Sequence, residues 1–395
     1  MTTDVSFPVS SGGWICSGQD AAVRRTLLQA AWRRPLPSAC RVVVAAAECL
    51  PEVQALAAKF GTALRFFPAA DQAYFPVFSP SDNQERIWRL VELMRLWGCD
   101  ELLLGKVYAY LELLLELDTW RQDCLAQLDL ALIGRYQGIL AVERTLDQMP
   151  ALSRDQRRRL LEAYAECAAA GPALENFLRM LQPVCRLDQL SCGCAARLPA
   201  GTVAVFPVRT MLEEKHRQCL LRLLAFDLAD AGRPISLTIL EGAQKWTQEL
   251  PLLLHQAHEL GAFITLYSDD LFSGHSEEWL AQVEAVFSQE IFSRHRLMSS
   301  CRAVSAQCGE IEIVRLVQGY DRNRRLRSAT LLERFFGLDR VDHYSQLAPV
   351  QEPLFRPEEI QAMAPRQLIL KTASDTVWTT AACLLPDARY QGGSS

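Results

Sequence analysis

The stretch WICSGQDAAVRRTLLQAA, residues Trp14 to Ala31, sets the fold of this chain. A short apolar strand (Trp14, Ile15, Cys16) runs into Gly18. A polar, small-residue turn follows, and a helix begins near Ala22 with Leu27 and Leu28 on its buried side. Strand, glycine turn and helix is the order of a phosphate-binding loop, in which helix N–H groups face an anion. In the pattern G-x-x-x-x-G-K-[ST] the second glycine lets the backbone approach, the lysine reaches the β and γ oxygens, and the hydroxyl holds Mg²⁺. Laid on Gly18, those positions fall on Val23, Arg24 and Arg25. A one-residue insertion would place Arg25 and Thr26 at the lysine and hydroxyl positions, still without the second glycine. A planar guanidinium is no simple replacement for a compact ammonium.

The surrounding chain extends the pattern. Arg41 to Ala46 is a β-branched apolar run suited to a buried parallel strand, Pro51 to Phe60 reads as a helix stopped at Gly61, and Ala63 to Phe67 as a further strand. Such alternation predicts an α/β domain with a mostly parallel sheet. From Asn83 to about Gln182 apolar residues recur at helical spacing with no strand, which predicts an inserted all-α domain with helices over 85–97, 100–117, 120–149, 153–169 and 173–181. Ser153 with Gln156 has the spacing of a capping box. The triplet Arg157, Arg158, Arg159 on that helix is a candidate nucleic-acid contact, with a solvated charged face as its ordinary explanation.

The α/β pattern resumes with a strand over 202–208 and a helix over 211–229. The run Ile235 to Leu240 then ends in Glu241, Gly242, Ala243. In a phosphate-loop NTPase an apolar strand ending in two acids supplies a Mg²⁺-shell carboxylate and a base that orients water. Here the first is Glu241 and the second is Gly242, which has no side chain. A helix over 250–260 and a strand over 262–267 lead to Ser268, Asp269 and Asp270, where such enzymes sense the γ-phosphate; a turn or helix cap is the other role for the two acids.

Composition bounds the function. The 395 residues are 50% hydrophobic and 22% charged, with room for two or three domains. A net charge of −5 excludes a protein that coats nucleic acid by bulk charge, leaving only local contacts. Apolar runs are cut by charges before ~20 residues, and the first fifteen residues lack a secretory signal. Thirteen scattered cysteines read as reduced thiols. Cys185, Cys192 and Cys194, and Cys301 with Cys308, lack paired C-x-x-C spacing, and His255 with His258 lacks a metalloprotease glutamate, so no metal site is expected.

The order and spacing of these segments resemble the TraG/TraD-like coupling ATPases of conjugation and type IV secretion, within the FtsK/HerA class of motors. The resemblance runs over nearly the whole chain from Gly13. It covers the loop, the strand and helix 41–60, the helical insertion 83–182, the apolar strand into Glu241, the helix and glycine turn Ala329 to Gly337, the segment Pro353 to Ile360 and the strand Gln367 to Lys371. It implies a P-loop NTPase-like (RecA/FtsK-like) fold, with 1–82 and 196–385 as its two parts, 83–195 as the insertion and linker, and 386–395 as a tail. It also implies a cytoplasmic protein, held at the inner face of the membrane only through partners, since the family's N-terminal anchor is absent. Nucleotide-site positions fall on Gly18, Arg24, Arg25, Thr26 and Glu241, and sensor-like positions on Ser268 and Asp269. Arg322, Arg324, Arg325 and Arg327 are candidates for an arginine finger or a DNA channel. With loop and base both altered, and loss of a base alone removing roughly 10²–10⁴ in rate, the expectation is a pseudo-ATPase that binds ATP and Mg²⁺ weakly if at all. Such a chain would recruit DNA or protein substrates to secretion machinery, alone or in a ring. The alternative is a divergent active motor using Arg25, Thr26 and Glu241.

Overall fold

The computed structural model describes residues 13–33, 40–67, 74–122, 126–136, 138–150, 152–185, 203–208, 213–231, 235–240, 249–321, 342–372 and 376–381. In chain order β1 (Gly13–Ser17), α1 (Ala21–Arg33), β2 (Cys40–Ala46), α2 (Leu50–Phe60) and β3 (Leu64–Phe66) come first. Seven helices follow: α3 (Asn83–Trp97), α4 (Glu101–Gln122), α5 (Leu130–Arg135), α6 (Ile139–Asp147), α7 (Arg154–Cys167), α8 (Ala170–Met180) and α9 (Gln182–Cys185). Next come β4 (Val203–Val208), α10 (Glu214–Ala231), β5 (Ile235–Leu240), α11 (Leu250–Glu259), β6 (Phe263–Ser268), α12 (Glu277–Glu284) and β7 (Phe287–Phe292). The chain then forms α13 (Met298–Cys308), β8 (Glu310–Asp321), β9 (Asp342–Pro353), α14 (Pro357–Gln361), β10 (Gln367–Thr372) and β11 (Thr376–Thr380).

Nine strands form one sheet in the order β11-β10-β7-β1-β6-β5-β2-β4-β3. All neighbours from β7 to β3 are parallel, while β10 is antiparallel to β7 and β11 to β10. Alternation along each strand divides the core into two layers. Trp14, Cys16, Val43, Val205 and Tyr267 face α1 and α2, where Val23, Leu27, Leu28, Val53 and Leu56 are buried against them. Ile15, Val42, Val44, Phe206, Ile239 and Leu266 belong to the other layer, which continues into the helical run and α10, α11 and α12. A mostly parallel sheet covered on both faces explains why β2 and β4 read as unbroken apolar runs.

The chain divides into two compact units, residues 1–293 with 365–395, and residues 294–364. The sheet and the helical run 83–185 lie within the first. In the second, α13 and α14 accompany the antiparallel pair β8 and β9, and Ser305 Oγ donates to the Phe355 carbonyl at 2.6 Å.

One predicted helix is corrected. The span 120–149 is not continuous: α4 reaches Gln122, and α5 and α6 are separate. Asp129 caps α5 by accepting from Leu132 N at 2.7 Å, and the chain turns at Gly138, whose φ is 85°. Buried Tyr136 fixes that turn, its hydroxyl donating to Asp118 Oδ1 at 3.1 Å and its carbonyl accepting from Tyr164 Oη at 3.1 Å. The expected capping box is present at α7, where Ser153 Oγ accepts from Gln156 N at 3.2 Å and Gln156 Oε1 from Ser153 N at 2.8 Å. Strands β7 to β9 and β11 were not anticipated from periodicity. β7 carries Gln289 and Glu290 in its middle and so lacks an apolar run.

Candidate functional site

β1 hands over to α1 through Gly18, Gln19 and Asp20 alone. A loop that arches over phosphates needs several residues between its first glycine and the helix. Two are present here. Val23, at the position of the second glycine, is already inside α1 and 0% exposed.

The anion-attracting end of α1 is occupied by the chain itself. The first N–H groups of a helix have no intrahelical partner and carry the positive end of its dipole. Asp20 Oδ1 accepts from Ala22 N at 2.7 Å and from Val23 N at 3.4 Å. Its Oδ2 accepts from the backbone N–H of Arg366 at 2.6 Å, and Arg366 is the one non-glycine at positive φ (70°) among the described residues. The carboxylate thus stands where a phosphate oxygen would have to bind.

The two arginines and the threonine are likewise engaged within the chain. Arg24 makes a bidentate pair with Glu52 of α2, Nε to Oε2 and Nη2 to Oε1, both at 2.9 Å. The Arg24 guanidinium also lies 3.8 Å from Asp269 and 5.4 Å from the centre of the Tyr267 ring. Its hydrogen bond with Glu52 raises its pKa further above the usual guanidinium value, so it is a fixed cation. Arg25 is exposed, with Nε 3.6 Å from Glu52. Thr26 Oγ1 donates back to the Ala22 carbonyl at 2.8 Å, the internal bond of a helical threonine.

Gly18 has a different use from the one a phosphate loop gives it. Its φ of 138° suits glycine, and an added Cβ would lie 2.2 Å from Ser293 Oγ and 2.8 Å from the Ser293 backbone. Its N–H donates to the Ser268 carbonyl at 3.0 Å, and its carbonyl accepts from the buried Tyr267 hydroxyl. The glycine therefore lets the end of β1 pack against the end of β7. Ser17, Ser268 and Ser293 close β1, β6 and β7 side by side; Ser17 Oγ accepts from Leu271 N at 3.1 Å. The hydroxyls of Ser268 and Ser293 are buried without a hydrogen-bond partner.

β5 and β1 are separated by β6, and Leu240 and Cys16 are both in register with Tyr267. At about 4.8 Å per strand spacing, the end of β5 lies about 10 Å from the end of β1. Glu241 and Gly242, one step further, lie outside the described residues, as do Arg322, Arg324, Arg325, Arg327, Cys192 and Cys194. Asp270 Oδ1 accepts from Phe272 N at 3.3 Å and so forms a turn, while Asp269 faces Arg24. On α7, Arg158 pairs with Glu162 at 2.9 Å, Arg159 lies 3.8 Å from Glu116, and Arg157 donates to the Met149 carbonyl. His255 and His258 are exposed on α11, and no cluster of three metal-ligating side chains occurs among the described residues.

Sequence reasoning passed over Asp20, Glu52, Tyr267 and Ser293. Asp20 carried a readable signal, a carboxylate immediately before an apolar helix. Glu52 and Ser293 carried none, since each matters through a partner far away in the chain.

No protein-family profile matches the chain, and neither does any curated protein. Solved structures do. The bacterial conjugative coupling protein TrwBdeltaN70, in its unbound monoclinic form, aligns over 93% of this chain and 84% of its own, at 14% identity and a TM-score of 0.52. This chain has the coupling-protein fold. Plasmid coupling protein TrwB in complex with ADP and Mg²⁺ aligns over 93% and 84% at 15% identity, with a TM-score of 0.52. TrwB in complex with the GTP analogue GDPNP aligns over 96% and 90% at 14% identity, again with a TM-score of 0.52. The coupling-protein fold is a P-loop NTPase-like sheet flanked by helices, as the topology here requires. At such identity the likeness carries the fold alone. What the coupling-protein fold does in this chain rests on its own residues.

Proposed function

We propose that this chain is a pseudo-ATPase on the coupling-protein fold, serving conjugative DNA transfer or type IV secretion as a binding and recruitment component. One observation carries the reading: the anion-binding end of α1 is filled by the Asp20 carboxylate, behind a three-residue turn. A γ-phosphate brought there would meet a like charge at hydrogen-bonding distance and find Arg24 committed to Glu52. The likeness to TrwB, crystallised with ADP and Mg²⁺, supports the choice of machinery. The chain then works through its surfaces, beside a catalytic relative or as part of a homo- or hetero-oligomer. None of its described helices is long and apolar enough to cross a membrane, so contact with the inner face of the cell membrane comes through partners.

Phosphate release from ATP with Mg²⁺, measured with and without single-stranded DNA, tests the reading. The expected outcome is release at the rate of a heat-treated control. Magnesium-dependent turnover that Glu241→Ala abolishes would overturn it and favour a divergent motor.

A further inference from the structure

α1 and α2 lie side by side on one face of the sheet, and a groove of about 310 Å³ opens along their outer seam. Because β1 and β2 run in the same direction, the two helices are parallel, and the seam follows Arg25, Leu28 and Gln29 on one side and Pro51, Ala55 and Lys59 on the other. Its floor is apolar, from Leu28, Leu56, Ala55 and Pro51. Its ends are basic. Arg25 at one end has a side chain 63% exposed, and Lys59 at the other is exposed in the last turn of α2. The acid in the lining, Glu52, is bound bidentately by Arg24 and also lies 3.6 Å from Arg25, so the lining sets two cations, Arg25 and Lys59, against one shared acid and stays net positive on a chain whose total is −5. From the level of Glu52 to Lys59 the rise is about 10 Å, two helical turns.

We propose that this seam docks an acidic amphipathic helix of a partner protein, with two carboxylates about two turns apart and an apolar residue or two between them. Apolar anchors flanked by oppositely charged groups are how helix-in-groove recognition divides affinity and orientation. The apolar floor is what favours a peptide over a nucleic acid, whose phosphates would find only Arg25, Lys59 and the Gln29 amide as donors. The proposal rests on the recruitment reading for its biological use, but not on whether nucleotide binds.

The test is fluorescence anisotropy on the full chain with a labelled alanine-rich helical peptide that carries glutamates seven residues apart and two leucines between them. Saturable binding is expected, weakening as salt rises from 50 to 500 mM. Lys59→Glu should weaken it about fivefold, and a matched peptide with lysines in place of the glutamates should regain affinity for that variant. Hydrogen exchange should show protection by the peptide confined to 25–29 and 51–59. The proposal falls if the lysine peptide binds the unmodified chain as well as the glutamate peptide does, or if Lys59→Glu leaves the affinity unchanged. It falls equally if an oligonucleotide displaces the peptide, which would make the seam a nucleic-acid contact, or if Lys59→Glu changes the oligomeric state, which would make it a contact between copies. Phosphate release from the same samples separates the two ideas: turnover would remove the pseudo-ATPase reading and leave the groove standing.

Discussion

At the scale of single residues, Gly18 and Asp20 have structural roles, Gly18 admitting Ser293 and Asp20 capping α1. A phosphate loop uses glycine so that backbone can approach a ligand. Here the same freedom admits Ser293, and Gly18→Ala forces a Cβ to within 2.2 Å of its hydroxyl in a backbone conformation that side chains avoid. The expected cost is about 2–4 kcal/mol, read from the urea midpoint of the variant. Adding Ser293→Gly should return part of it, because the hydroxyl clash goes and the backbone contact at 2.8 Å stays. A variant as stable as the parent would mean that β7 does not close on β1 as described. The motif position of Gly18 was legible in the sequence, but its reason was not, since Ser293 reaches it from a strand that periodicity did not reveal. Asp20 could have been recognised as a helix cap, whereas its second bond to Arg366 joins positions 346 residues apart in sequence.

Among the elements, the layer between the sheet and the pair α1 and α2 holds two buried thiols, Cys16 and Cys49. Burial raises Cys49 from an ordinary 9.0 to about 11, and raises Cys16 well beyond the usual thiol range. A thiol whose folded pKa lies above its unfolded value keeps its proton in the native state while the unfolded chain releases it. Its stabilising contribution is complete below pH 9 and is lost as pH rises through the window from 9 to about 11. Urea melts between pH 8.5 and 10 should therefore show stability falling, with Cys49→Ala flattening the slope. A slope unchanged in that variant would mean that Cys49 ionises freely in the folded chain. The same layer shows what the sequence discloses well: β1, β2, α1 and α2 fall within one or two residues of where apolar spacing and Gly61 placed them. The break between α5 and α6 has one sign in the sequence, Gly138 at a φ of 85°, while the buried tyrosine network that fixes it joins residues too far apart in the chain to be read there.

Taken whole, the molecule joins a coupling-protein fold to a first helix whose N-terminus is capped by Asp20. A mostly parallel sheet flanked by helices was legible in the hydrophobic runs, whereas the strand order, which includes β7 and β11, was not; a solved coupling-protein structure aligns over nine-tenths of the chain. The centre was harder to read, because its chemistry depends on which side chains fold back onto the end of α1. Arg24, aligned with a catalytic lysine in sequence, is held by Glu52 and Asp269 from two other elements. Isothermal titration of ATP with Mg²⁺ into the full chain is the most direct measurement of whether that closure excludes nucleotide. No saturable heat is predicted up to millimolar ATP; binding in the micromolar range, with the stabilisation of the fold that such binding must bring, would contradict it.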